Sequence, residues 1–185
     1  MWSTLTKNKE KTKLMLEVSV FEEKSKQKLT NDIRQRLKRP VFVCIGTEKV
    51  FSDSLGPRVG SMLNEQMQTP AFIYGVRSKN ITAENLSCCY DFIKSLHPTE
   101  QIVVIDAAVG TPEQIGNVQV SNGGLVPGAA TNKNLPPIGD VSIVGIVADK
   151  GMEDFYTLSA EKELLVNKVA AFIAESIVSA ISQRG

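Results

Sequence analysis

The feature that most constrains this chain is a set of short, near-continuous apolar runs separated by amphipathic stretches. Residues 41–45 (VFVCI), 71–75 (AFIYG), 102–105 (IVVI) and 141–147 (VSIVGIV) lack the strict alternation of a half-exposed strand. A strand reads this way when both of its faces are covered, as in a parallel sheet with helices on each side. Helical patterns fill the intervals. Residues 22–39 carry Leu29, Ile33 and Leu37 at four-residue spacing, and residues 54–68 offer Val59, Met62, Leu63 and Met67 to a sheet. Residues 83–96 group Leu86, Cys89, Tyr90, Ile93 and Leu96 on one side. Residues 160–181 do the same with Leu164, Leu165, Val169, Phe172, Ile173, Ile177 and Ile181. Ser159 or Thr157 is placed to cap that last helix, with Glu161 and Glu163 at its positive end. Two pieces alternate instead: 14–20 is expected as a short edge strand, and 118–121 at an edge or in antiparallel pairing. The pattern predicts an α/β fold: a three-layer αβα sandwich with a mainly parallel sheet and right-handed crossovers.

A chain of 185 residues suits one domain and needs no disulfide or structural metal to fold. We expect that domain over 13–185, after a loose, lysine-rich segment at 1–12. No uninterrupted apolar run approaches the ~20 residues of a membrane span. Residues 1–13 lack the apolar centre of a secretory signal, so no membrane association and a cytoplasmic location are expected. Cys44, Cys88 and Cys89 form a poor disulfide framework, and no cysteine or histidine spacing resembles a zinc site. The net charge of +1 hides an asymmetry: residues 1–40 hold eleven Lys/Arg against five Asp/Glu. That basic stretch has no aromatic interleaving and no recognition helix, so no nucleic-acid partner is expected. Neither a phosphate-binding loop nor a dinucleotide fingerprint is present.

Chemistry is expected where the parallel strands end, because ligands of open α/β sheets bind outside the carboxyl ends of their strands. That places Gly46 and Thr47, the turn carrying Asp53, the segment from Asp106 to Gly110, and the loop after Val120 at one rim. Asp53 and Asp106 each follow an apolar strand. Two facing carboxylates that share a proton can divide the work: one ionised and accepting a proton from water, the other protonated and hydrogen-bonding the carbonyl under attack. The same pair can instead hold a divalent cation that activates water, which is the less favoured option. Backbone N–H groups between Ala107 and Gly110, or at Gly123 and Gly124, are candidates to stabilise an oxyanion. Lys133, in the Gly/Pro/Asn-rich segment 122–139, is a candidate to bring positive charge. Structural roles compete with each of these: Asp53 as a helix N-cap, Asp106 as a turn brace, Lys133 as a solvated loop residue. Asp140 and Asp149 are weaker alternatives. His97, the one histidine, precedes the strand leading to Asp106 and so belongs at the far end of the sheet, which argues against a Ser-His-Asp or Cys-His arrangement.

Three motifs carry a family resemblance. Residues 44–57 (CIGTEKVFSDSLGP) resemble the glycine turn and Asp-x-Leu-Gly-Pro element of the spore germination protease family. Residues 102–108 (IVVIDAA) resemble that family's second catalytic-aspartate strand, and residues 122–128 (NGGLVPG) the proline-glycine loop that follows. Over nearly the whole chain the sequence resembles the small sporulation protein family called YyaC. The resemblance implies a fold shared with the maturation peptidases of nickel-iron hydrogenases, and essential aspartates at Asp53 and Asp106. It implies a sporulation-associated, aspartic-type peptidase-like hydrolase acting on a protein or peptide, such as a small spore protein, in the cytoplasm of the sporulating cell or forespore. The hydrogenase peptidases add a histidine from a later loop to recognise nickel, and residues 122–139 hold no histidine, so nickel-guided cleavage is not expected. The germination protease is also longer and is made as a zymogen. A non-catalytic spore protein that binds peptide on the same fold is therefore the alternative. An edge strand and a long last helix are compatible with a homodimer.

Overall fold

A computed structural model describes residues 13–67, 71–125, 137–150 and 159–182. The expected tail at 1–12 lies outside the described residues. In chain order the elements are β1 (Lys13–Ser19), α1 (Ser25–Arg36), β2 (Pro40–Cys44), a 3-10 turn (Phe51–Ser54), α2 (Leu55–Gln66), β3 (Phe72–Tyr74) and α3 (Leu86–Leu96). They continue with β4 (Gln101–Gly110), a 3-10 turn (Pro112–Gln114), β5 (Asn117–Asn122), β6 (Val141–Asp149) and α4 (Ala160–Ser182). The strands form one mixed sheet in the order β1-β5-β6-β4-β2-β3. β3, β2, β4 and β6 run parallel, whereas β5 is antiparallel to both β6 and β1. The α/β sandwich read from the apolar runs is the observed architecture. Both alternating pieces are antiparallel, with β1 at the edge and β5 inside, covered by β1.

Period-two burial divides each central strand between two cores. Phe42 and Cys44 of β2, Val103, Ile105 and Ala107 of β4, and Ile143 and Val147 of β6 face α1, α2 and α4. Val41, Val43, Ile102, Val104, Ala108, Val144 and Ile146 face α3. Helices supply the matching stripes: Leu29, Ile33 and Leu37 around α1, Leu55, Val59 and Leu63 on α2, and Val166, Val169, Ile173 and Ile177 on α4. Each fully buried Leu, Ile or Val contributes about 1.5–3 kcal/mol relative to exposure. Two readings of the stripes needed correction. Leu164 is 70 % exposed and Leu96 is exposed as well, because the buried face of α4 starts at Val166 and that of α3 is set by Leu86 and Ile93.

Ser159 caps α4, its Oγ accepting the N–H of Lys162 at 3.2 Å, and Glu161 and Glu163 sit in the first turn. Among the described residues α4 is the one helix long and apolar enough to cross a membrane by length and composition. That departs from the expectation based on uninterrupted runs, since scattered polar residues break the run without making the helix polar overall. Its inner stripe is buried against the sheet and α1 and α2.

Candidate functional site

The site begins where β2 stops short of its neighbour. Cys44 pairs with Ile105, but β4 continues to Gly110, flanked on its other side by β6. The chain leaving β2 therefore turns away beside the half-edge of β4 that β2 leaves unpaired. Ile45 N–H donates to Ile105 O at 2.8 Å and Gly46 N–H to Ile81 O at 2.8 Å. Gly46 adopts φ 137°, and the backbone oxygen of Asp53 lies 1.9 Å from where a Cβ would stand. Only glycine fits that approach. Thr47 N–H donates to the same oxygen at 3.0 Å, and Asp53 N–H donates to Val50 O at 3.0 Å. The Phe51–Ser54 turn is thus clamped by its own backbone, and it packs against β4 and α4. The Leu-Gly-Pro that follows lets α2 start directly over the strand, with Gly56 against the backbone of Ile45.

Asp53 is 2 % exposed. The N-cap position of α2 falls on Ser54, and the helix has no side-chain cap, so N-capping does not account for Asp53. Asp106 is 0 % exposed, and its position differs from the sequence reading. It does not close a strand. It sits in the middle of β4 opposite Val144, because Ala107 to Gly110 continue the ladder alongside Gly145 to Asp149. Period two puts Asp106 on the α3 side, between Val104 and Ala108. Its Oδ1 accepts the Ala107 N–H at 2.8 Å, whereas Oδ2 has no hydrogen-bond partner among the described residues. Burial pushes the Asp106 carboxyl up to about 8, and the Ala107 N–H offsets only part of that. At neutral pH it is mostly protonated, a carboxylic acid held in the apolar centre of a sheet.

The remaining candidates separate. Gly46 and Thr47 adjoin the Asp53 turn, as described. Gly110 ends β4 with its carbonyl accepting the Lys150 N–H at 3.1 Å; with residues 107–110 in the ladder, the expected oxyanion turn there is absent. Gly123 and Gly124 stand at the other end of the sheet. Antiparallel β5 carries the chain back to the start of β6, where Asn122 pairs with Val141 and Gly123 N–H donates to Asp140 O at 2.8 Å. Asp140 N–H in turn bonds Ile102 O at 2.8 Å, four residues below Asp106. At about 3.3 Å per residue that is about 13 Å along the strand. Treating the segment after Val120 as another carboxyl-end loop failed because β5 runs in reverse. Lys133 lies outside the described residues. Asp140 is a brace, its Oδ2 accepting the Ile102 N–H at 2.8 Å. His97 is buried at the end of α3, its Nε2 2.8 Å from the Tyr74 hydroxyl and its ring against Phe72, so it belongs to the far end as expected. Cys44 is fully buried, which pushes its thiol up and leaves it inert.

A charged cluster beside Asp53 was not read from the sequence. Arg58 of α2 is 8 % exposed, and its Nε donates to Ser54 Oγ at 2.9 Å. Glu48 lies 3.9 Å from that Nε and 2.7 Å from Arg77 Nε. The four-residue spacing of Ser54 and Arg58 is the signal the sequence offers, since such pairs meet on a helix. Among the described residues no group of three or more His, Cys, Asp or Glu gathers in a metal-ligand arrangement.

Residues 15–176 match the family model described as "Protein of unknown function (DUF1256)". The "Uncharacterized protein YyaC" of Bacillus subtilis (strain 168) is 35% identical over 150 residues, covering 80% of this chain and 73% of the relative. Among solved structures, a [NiFe] hydrogenase maturation protease, HycI, from Thermococcus kodakarensis KOD1 aligns with a TM-score of 0.52 at 20% identity, covering 79% of this chain and 96% of that one. At that identity the likeness is one of fold.

Proposed function

The chain belongs to the DUF1256 family, and from that premise we propose that it is a peptidase-like hydrolase using Asp53 and Asp106 on a protein or peptide substrate. The observation that carries the reading is the state of Asp106. A carboxyl wholly buried in mid-strand, with one oxygen that meets no hydrogen-bond donor among the described residues and its proton affinity raised, weakens the fold. Such groups concentrate where chemistry needs them. The turn that buries Asp53 packs against the same strand.

In this reading Asp106 is the acid. Its protonated Oδ2 donates a hydrogen bond to the scissile carbonyl and stabilises the oxyanion as it forms. Asp53 is the base that takes a proton from the attacking water and later returns it to the leaving amine. A divalent cation is the less favoured option, because among the described residues no third His, Cys, Asp or Glu gathers with this pair. A role in sporulation, with the protein in the cytoplasm of the sporulating cell or forespore, follows from the germination-protease-like motifs around the two aspartates. The substrate class is then a small spore protein.

Incubating the purified protein with a small acid-soluble spore protein and with a denatured-protein mixture tests the reading, products being scored by mass spectrometry. Cleavage by wild type, lost in both Asp53→Asn and Asp106→Asn, is expected. The near-complete burial of both aspartates favours one other reading, a peptide-binding module that does not turn over its ligand. Peptide binding without product, unaltered in the double asparagine variant, would establish that instead.

A further inference from the structure

We propose that Arg58 is a positioning residue that fixes the Phe51–Ser54 turn, and with it Asp53, against the strand carrying Asp106. The inference rests on the hydrolase reading of that pair. Its observation is separate: the contacts of a nearly buried guanidinium converge on one loop and on the helix behind it. Nε–H donates to Ser54 Oγ at 2.9 Å. Ser54 O–H passes the constraint on to Phe51 O at 2.6 Å. The guanidinium carbon lies 5.4 Å from the centre of the Phe51 ring, within cation–π range. One terminal nitrogen donates to Asn167 Oδ1 on α4. The Glu48 carboxylate, earlier in the same loop, lies 3.9 Å from Nε.

The first and last residues of the turn that holds Asp53 are therefore both tied to Arg58, and Arg58 is tied to α4. The neighbours of Arg58 on α2, namely Leu55, Val59 and Leu63, already pack the sheet side of that helix. Stability of α2 alone does not call for a buried cation there, and an apolar side chain would be the less costly occupant. What a guanidinium supplies is a rigid planar fork that engages Ser54 and Asn167 at once. A lysine ammonium keeps the charge and cannot reproduce both directions. Displacing a reacting group by about 1 Å costs on the order of 100-fold in rate, so a fixed turn matters more to turnover than to folding.

Arg58→Lys and Arg58→Met test this in the full chain, with the small acid-soluble spore protein as probe. Both variants are expected to fold, by circular dichroism and urea titration. Arg58→Lys is expected to lower kcat about 100-fold with KM within about threefold. Adding Ser54→Ala to Arg58→Lys should lower kcat little further, because Ser54 acts through the same contact. Amide hydrogen exchange at residues 52–55 should quicken at least about tenfold in Arg58→Lys while that of α3 stays unchanged. Wild-type kcat in Arg58→Lys, or a loss confined to KM, overturns the positioning role. If wild type cleaves nothing, the hydrolase reading falls by itself. Unchanged exchange at 52–55 then overturns the anchoring of the turn, and faster exchange there upholds it.

Discussion

Replacing Asp106 by asparagine should change how stability depends on pH. The folded carboxyl titrates at about 8, against an ordinary 3.8 in the unfolded chain, and burial is the main cause. Between those values the folded state holds a proton that the unfolded state has released. Stability therefore falls as pH rises through this window, at up to about 1.4 kcal/mol per pH unit for one proton, and levels off above the folded value. From pH 5 to pH 8 the integrated loss is about 3.5 kcal/mol. With a urea m-value of about 2 kcal/mol/M, the midpoint falls by roughly 1.5–2 M. The carboxamide of the variant is close in shape to the protonated acid and can still accept the Ala107 N–H. Asp106→Asn should therefore already exceed wild type by about 1.7 kcal/mol at pH 5 and exceed it progressively more up to pH 8. Urea titrations of both proteins at pH 5, 6, 7 and 8 provide the measurement, and their difference cancels the other titrating groups. A difference that stays flat across that range would refute the reasoning, because Asp106 would then be ionised in both states or absent from the linkage.

Asp53→Asn and Asp106→Asn should each reduce peptide turnover by about 10²–10⁴-fold without loss of fold, checked by initial rates alongside circular dichroism. Gly46→Ala should destabilise by several kcal/mol, seen as a sharply lowered melting temperature, because its φ of 137° and the Asp53 oxygen 1.9 Å from the new Cβ leave no room. Asp140→Ala should cost about 1–3 kcal/mol in urea titration by orphaning the Ile102 N–H, yet leave turnover intact, since it acts at the opposite end of the strand. Ile173→Ala should cost about 2–5 kcal/mol, whereas Leu164→Lys should change the urea midpoint by little, because the first is buried and the second exposed.

Periodicity made the scaffold legible. Runs with no polar face, such as VFVCI and IVVI, can rest only between two apolar layers, and β2 and β4 do so. The same rule misplaced the end of β4. A charged residue type after an apolar run reads as a terminus, but Asp106 is carried inside as a mostly neutral acid, and the run of small residues after it stays in the sheet. Strand direction was the second blind spot. Alternation marks β5 as antiparallel or at an edge, yet the consequence that Gly123 and Gly124 fall beside Asp140 depends on β5 lying next to β6, a pairing that no local pattern encodes. Arg58 was hidden for a related reason: its partners Asn167 and Glu48 come from a distant helix and a loop, and only folding brings them to the Asp53 turn.

The most direct test is a carboxyl-carbon NMR titration of Asp106 in wild type and in Asp53→Asn. Burial predicts a midpoint near 8 in wild type; the shared-proton reading adds that it moves down when Asp53 is replaced by an amide. A midpoint in the ordinary carboxylate range near 4 would contradict the buried neutral acid, and one indifferent to Asp53 would contradict a coupled pair.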